Sequence, residues 1–148
     1  MTDFALRRAH LKNLFTQAIT AYGTKDFDIF ATFVHEQAEF DWPYLPLKEF
    51  PDRMVGRDEF IAMSRAGMAD CDGYHHQIDR FYDMADPDMV LVEYHSGTTL
   101  HSSGRTYANK YLGILRFEGD LVVHWREYVN PLPIIEAFGL EFRNEALA

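Results

Sequence analysis

The chain has 148 residues, 47% apolar, 25% charged and 15% aromatic, with a formal net charge of −9 at pH 7, which is the size of one domain able to bury a substantial core without a staple. The negative balance argues against nucleic acid and against an anionic membrane surface, because no basic stripe is present to meet phosphates. A single cysteine, Cys71, leaves no internal disulfide and fits a reducing, cytoplasmic compartment.

The amino-terminal stretch MTDFALRRAHLKNLF is amphipathic, without the apolar block of a signal peptide, and no run of the chain reaches the length of a membrane span. Thr2 or Asp3 can cap a first helix whose Leu11, Leu14, Phe15, Ala18, Ile19 and Tyr22 recur at helical spacing. Gly23 is expected to end it in the left-handed conformation. Asp26 can cap a short helix through Phe27, Phe30, Phe33 and Val34. Ala38 to Trp42 alternates as a short strand, and Pro43, Pro46 and Pro51 make residues 43 to 52 a loop. Arg53-Met54-Val55 reads as a brief edge strand, followed by a helix from about Asp58 to Met68. Cys71 sits in the acidic run Ala69-Asp70-Cys71-Asp72, a poor setting for a thiolate nucleophile.

From Gly73 onward the pattern turns to long strands: Tyr74 to Met84, Met89 to Thr99, Thr106 to Phe117 and Leu121 to Val129. The short clusters Asp86-Pro87-Asp88, Ser102-Ser103-Gly104 and Glu118-Gly119-Asp120 between them imply sequential antiparallel hairpins. Pro131 ends the last strand, Leu132 to Phe138 reads as a short helix closed by Gly139, and Glu141 to Ala148 as a frayed tail. Helices first and a meander after give one α+β domain over residues 1–148. Long antiparallel strands twist and curl, and three helices on the concave face would close them into a conical barrel whose mouth suits a small ligand.

In the last strand, period two puts Leu121, Val123, Trp125, Glu127 and Val129 on one face, and Val122, His124, Arg126, Tyr128 and Asn130 on the other. A carboxylate among apolar neighbours must be paired, protonated or lining a cavity. Lost hydration would raise the pKa of Glu127 and fit it for proton transfer near neutrality. The structural alternative is an ion pair with Arg57, Arg80 or Arg105.

Glu39-Phe40-Asp41-Trp42-Pro43-Tyr44, Val55-Gly56-Arg57-Asp58, Tyr107-Ala108-Asn109-Lys110-Tyr111, Arg126-Glu127-Tyr128-Val129-Asn130-Pro131 and the terminal Leu132 to Gly139 resemble, in this order, the nuclear transport factor 2-like superfamily. The likeness is greatest to its SnoaL-like and PhzA/PhzB-like members and runs from about residue 8 to residue 140. It implies a curved sheet and helices around a deep pocket, and a homodimer through the outer sheet face. It also implies cofactor-independent isomerase, cyclase or condensation chemistry, or in some members ligand or protein binding alone. By resemblance Glu127 is a cavity general acid, Tyr111 a cavity tyrosine, and His76 the inward member of the pair His75-His76.

The residues themselves add the following. Tyr111 and Asn109 share a strand face, where a phenol and an amide can donate to a substrate oxygen. Trp42, Trp125 and Tyr44 are candidate wall residues. By resemblance to the ketosteroid isomerases, distant relatives, Asp41 lies near the place of their aspartate base, but aligned on Pro43 that base falls on Trp42, and one residue reverses a strand face. The second isomerase acid, a carboxyl kept neutral by its apolar surroundings, would fall near Gly113, where this chain has no acid. Glu93 shares a face with Met89, Leu91 and His95, opposite the equally apolar Val90, Val92 and Tyr94, which leaves its direction open. It is a candidate second cavity acid or an interface charge. His75 and His76 cannot converge on one ion, and the remaining histidines show no ligand spacing, so no metal is expected. No nucleophile elbow, phosphate loop or dinucleotide fingerprint appears, and no cofactor is expected. The reading is an acid–base enzyme for a small, mostly apolar cyclic or carbonyl-bearing metabolite. The alternative is a non-catalytic ligand-binding or dimerisation module.

Overall fold

The computed structural model describes residues 2–45, 47–48 and 50–140. Helix α1 spans Asp3–Gly23. The Thr2 hydroxyl accepts the Ala5 N–H at 3.1 Å, satisfying one free donor of the first turn. Leu11, Phe15 and Ile19, four residues apart, are buried along one face. Gly23 does not take the left-handed conformation expected of it; Lys25 does, with φ 65°. The Lys25 ammonium donates to the Met68 and Cys71 carbonyls, each at 3.0 Å, which ties this turn down. Gly23 is needed for a different reason: a Cβ there would lie 2.6 Å from the His76 backbone nitrogen. Helix α2, Phe27–Ala31, is capped by Asp26, whose carboxylate accepts the Ile29 N–H at 3.3 Å. It stops before Phe33 and Val34, because Val34 opens a strand.

The remaining elements are β1 (Val34–Asp41), β2 (Arg53–Val55), α3 (Arg57–Gly67), β3 (Gln77–Tyr82), β4 (Met89–Thr99), β5 (Thr106–Glu118), β6 (Leu121–Val129) and α4 (Pro131–Phe138). The strands form one sheet in the order β2-β1-β6-β5-β4-β3. β3 to β6 pair antiparallel in sequence, as their turn clusters require, and β1 returns parallel to β6. The sheet is curved but stays open, with β2 and β3 at its edges, so the expected conical barrel is an unclosed sheet covered by helices. β3 begins three residues later than its pattern suggests. His75 adopts φ 54° and its N–H bonds the Gly23 carbonyl at 2.9 Å, which keeps the chain out of the sheet there. The tail from residue 141 lies outside the described residues.

A β-bulge corrects the period-two reading of β6. Phe117 pairs with Val122 and Arg116 with His124, leaving Val123 as the extra residue. Val122 therefore joins the inner face in place of Leu121 and Val123. Beyond the bulge Trp125, Glu127 and Val129 point inward as expected.

The core lies between that inner face and the helices. Phe15 of α1 meets Tyr94 and Trp125 edge to face at 5.5 and 6.0 Å. Phe60 of α3 stacks on Phe40 of β1 at 4.0 Å. Each such ring, once buried, contributes roughly 1.5–3 kcal/mol. The last helix ends as the sequence predicts, with Gly139 left-handed at φ 67° and its N–H on the Ile135 carbonyl.

Candidate active site

A cavity of about 100 Å³ opens between the inner sheet face, α3, α4 and the loop after β1. Trp42, Trp125, Tyr111, Tyr107 and His76 line it, and so does Glu127. Its scale approaches the roughly 150 Å³ apolar void that admits a single aromatic ring.

Glu127 stands on β6 directly opposite Gly113 of β5, and Val92 of β4 lies opposite Gly113 on the other side. Gly113 carries no side chain, so the Tyr94 ring crosses over β5 to reach Glu127. A Cβ at Gly113 would lie 3.0 Å from that ring and 3.3 Å from its hydroxyl. The Tyr94 hydroxyl donates to Glu127 Oε2. The same hydroxyl accepts the Trp125 indole N–H at 3.2 Å, which fixes its direction. Burial pushes the Glu127 carboxyl up to about 7, against hydrogen bonds from Tyr94 and Trp42 that hold it down. Arg57, Arg80 and Arg105, the partners a structural ion pair would have needed, engage Asp58, the Tyr82 ring and the Glu136 carbonyl instead.

A second network lies beside the first. Tyr111 pairs across the strands with Tyr94 and stacks on it at 5.0 Å. Its hydroxyl shares hydrogen bonds with Ser96 Oγ at 2.6 Å and with the Tyr107 hydroxyl at 3.2 Å. Burial raises every phenol of the group: Tyr107 reaches about 12, and Tyr94 and Tyr111 lie well above their ordinary value, raised further by neighbouring charge. All remain protonated donors at working pH. Asn109 supports this layer without lining the cavity; its amide donates to the Tyr107 hydroxyl at 3.1 Å and to the Asn130 carbonyl at 2.9 Å. His76 enters from the loop before β3, at 5.5 Å from the Tyr111 ring and 5.4 Å from Tyr22. Burial, with His75 and His95 nearby, pushes it down to about 3, so it is a neutral imidazole. Its Nδ1 is sealed against Gly23 with no hydrogen-bond partner, which leaves Nε2 as the nitrogen able to meet a ligand.

Three candidates from the sequence lie elsewhere. Asp41 points to the outer face, because Phe40 and Trp42 on either side of it point in. Partial burial pulls its pKa up. Arg126, bidentate at 3.0 and 2.9 Å, and His124 outweigh that pull and hold the carboxyl below its ordinary value. Glu93 is also outward, since Val90, Val92 and Tyr94 are the buried members of β4. Tyr44 is largely exposed against Tyr128 and borders, with Glu93, a separate open concavity of the outer face. Tyr94 was not among the sequence candidates. Its signal was Gly113, an inward strand glycine marking where something crosses the backbone closely.

Comparison with known proteins agrees with this fold. Residues 15–125 match the SnoaL-like domain. A PhzA/B-like protein of Pseudomonas aeruginosa is 29% identical over 105 residues, covering 71% of this chain and 73% of that one. A crystal structure of a candidate isomerase from Bacillus subtilis superposes with a TM-score of 0.81 at 22% identity, covering 92% of this chain and 97% of that one. A phenazine biosynthesis-related protein of Pseudomonas aeruginosa gives 0.75 at 14%, covering 96% and 93%. With a match over three quarters of its length, an open curved sheet and an aromatic cavity, the chain belongs to the SnoaL-like domain family.

Proposed function

We propose that the protein is a cofactor-independent acid–base enzyme of the isomerase or cyclase type, acting on a small cyclic or carbonyl-bearing metabolite. The observation that carries this reading is a carboxyl on the wall of an aromatic cavity, poised near neutrality, with hydrogen-bond donors but no cationic partner among the described residues. In its ionised form Glu127 takes a proton from carbon beside a substrate carbonyl. The C–H electron pair moves into the new C–C double bond, and the carbonyl oxygen gains the negative charge. Tyr111, backed by Tyr107, and His76 through Nε2 are the groups able to hydrogen-bond that oxygen. Glu127 then returns the proton to carbon at a second position or to oxygen. Trp42 and Trp125 hold the ring of the substrate, and Asn109 positions Tyr107.

The test is α-proton exchange of small cyclic ketones in D₂O, followed by NMR. Exchange by the wild type should rise about tenfold per pH unit up to about 7 and then level. Glu127→Gln should lose 10²-fold or more. Equal exchange rates for the two proteins would remove the role of Glu127. Absence of exchange with tight ligand binding would favour the second reading, a binding module of the same fold. The proposal includes dimerisation through the outer sheet face, checked by light scattering, and residence in a reducing compartment, for which the single cysteine speaks.

A further inference from the structure

We infer that the cavity is a receptor for a compact ammonium group, seated between the Glu127 carboxyl and the aromatic wall. This rests on the cavity and the carboxyl of the reading above but not on turnover.

The charge inventory of the wall carries the inference. Of the nineteen described residues that line the cavity, ten are Phe, Tyr or Trp, and none is Lys or Arg. Glu127 is the one acid among them. Tyr22, Tyr74, Tyr107 and Tyr111 are held protonated by burial, so they bring ring quadrupoles and oxygen lone pairs but no charge. His76 is neutral, so the wall supplies no cation of its own. A carboxylate in such a place is costly until a positive charge arrives. An anionic ligand would worsen that cost, and a neutral ligand relieves it only as far as it can donate a hydrogen bond, as Tyr94 and Trp42 already do. A cation is attracted by the carboxylate and by aromatic faces together, each strengthened by exclusion of water.

Size and long-range field narrow the class. A volume of about 100 Å³ suits a tertiary or quaternary ammonium with small substituents, or the amine end of a one-ring metabolite. The net charge of −9 draws cations toward the molecule and repels carboxylates and phosphates. A metabolite with an amine next to its reacting carbon would satisfy this inference and the proton-transfer reading at once.

The chain has two tryptophans, Trp42 and Trp125, and both line the cavity, so intrinsic fluorescence reports on this site. The probes are tetramethylammonium chloride and tert-butanol, the second having a similar branched shape without charge, at ionic strength matched with sodium chloride. At pH 8 tetramethylammonium is expected to bind at least tenfold more tightly than tert-butanol. Its affinity should grow about tenfold per pH unit from pH 5 to about 7 and level above, while tert-butanol, able only to donate one hydrogen bond, shows a much shallower rise. In Glu127→Gln the rise of tetramethylammonium affinity with pH should disappear and its preference over tert-butanol should shrink to what the aromatic faces alone supply. Should that variant fail to fold, the wild-type pH profile decides alone. Binding of tetramethylammonium no tighter than tert-butanol at pH 8, or independent of pH, overturns the inference. If it fails while Glu127→Gln still abolishes ketone exchange, the acid–base reading survives. If tetramethylammonium binds and no exchange occurs, the site is a cation receptor without that turnover.

Discussion

Replacing Glu127 with Gln should stabilise the protein at alkaline pH and do progressively less as the pH falls. The carboxyl has a folded pKa of about 7 against an ordinary 4.5. Because the folded value is raised, the contribution of this group to stability is fully present below about 4.5 and is lost as pH climbs through 7. The separation of about 2.5, at about 1.36 kcal/mol for each, sets a ceiling of about 3.4 kcal/mol. Water entering the cavity lowers the effective penalty, so about 2 kcal/mol is the change expected between pH 5 and pH 8. Urea denaturation of both proteins at half-unit pH intervals measures it, and a melting-temperature difference that widens by roughly 4–8 °C over that range would accompany it. The Gln side chain keeps an oxygen for the Tyr94 hydroxyl and is close in shape, so any fixed offset between the variants is independent of pH. His76, whose folded pKa is depressed, costs stability as pH falls below about 6.5, but it does so in both proteins and cancels in the difference. Two parallel stability curves would mean that Glu127 ionises in the folded chain as freely as in water, and the argument from its burial would be wrong.

Tyr94→Phe should raise the Glu127 pKa above about 7 by removing a donor that holds it down, and should cost about 1–3 kcal/mol by orphaning the Trp125 indole N–H; carboxyl ¹³C NMR and denaturation read the two effects. Gly113→Ala places a methyl 3.0 Å from the Tyr94 ring, so about 1 kcal/mol of destabilisation and an upward shift in the titration midpoint of the same carboxyl resonance are expected. An unchanged midpoint would show that Tyr94 reaches Glu127 without needing the open lane. Asp41→Asn should leave ligand binding and ketone exchange untouched and cost about 1 kcal/mol or less at pH 7, the pair with Arg126 being partly solvated. The folded pKa of Asp41 is lowered, so that cost belongs to neutral pH and disappears as acid protonates the carboxyl.

The hairpin order of β3 to β6 was legible because each turn cluster sits between two alternating runs, and the bounds of β4 and β6 follow directly from them. The bulge at Val123 was not, since one inserted residue leaves composition and periodicity on each side intact while exchanging the faces. For the same reason Leu121 and Val123 looked inward, while Trp125 and Glu127, beyond the bulge, were placed correctly. Tyr111 and Asn109 were readable as inward because the opposite face of β5 at this end, with Thr106, Ala108 and Lys110, is plainly solvated. β4 offered no such contrast. Its two faces are equally apolar in sequence, and only the crossing of Tyr94 over Gly113 reveals which one meets Glu127.

That crossing governs the ionisation of Glu127 together with its burial. Burial by itself would push Glu127 further up, toward a permanently protonated acid with no capacity as a base. The donors from Tyr94 and Trp42 pull it back to about 7, where both protonation states are populated. Tyr94 can do so because its own phenol stays protonated, raised by burial and by the carboxylate it serves. Its second lone-pair direction is occupied by the Trp125 indole, so its proton is aimed at Glu127 and not into the cavity. A strand position with no side chain, one aromatic laid across it and an indole behind that aromatic thus set the working range of a single acid, and each of the three can be altered without touching the acid itself.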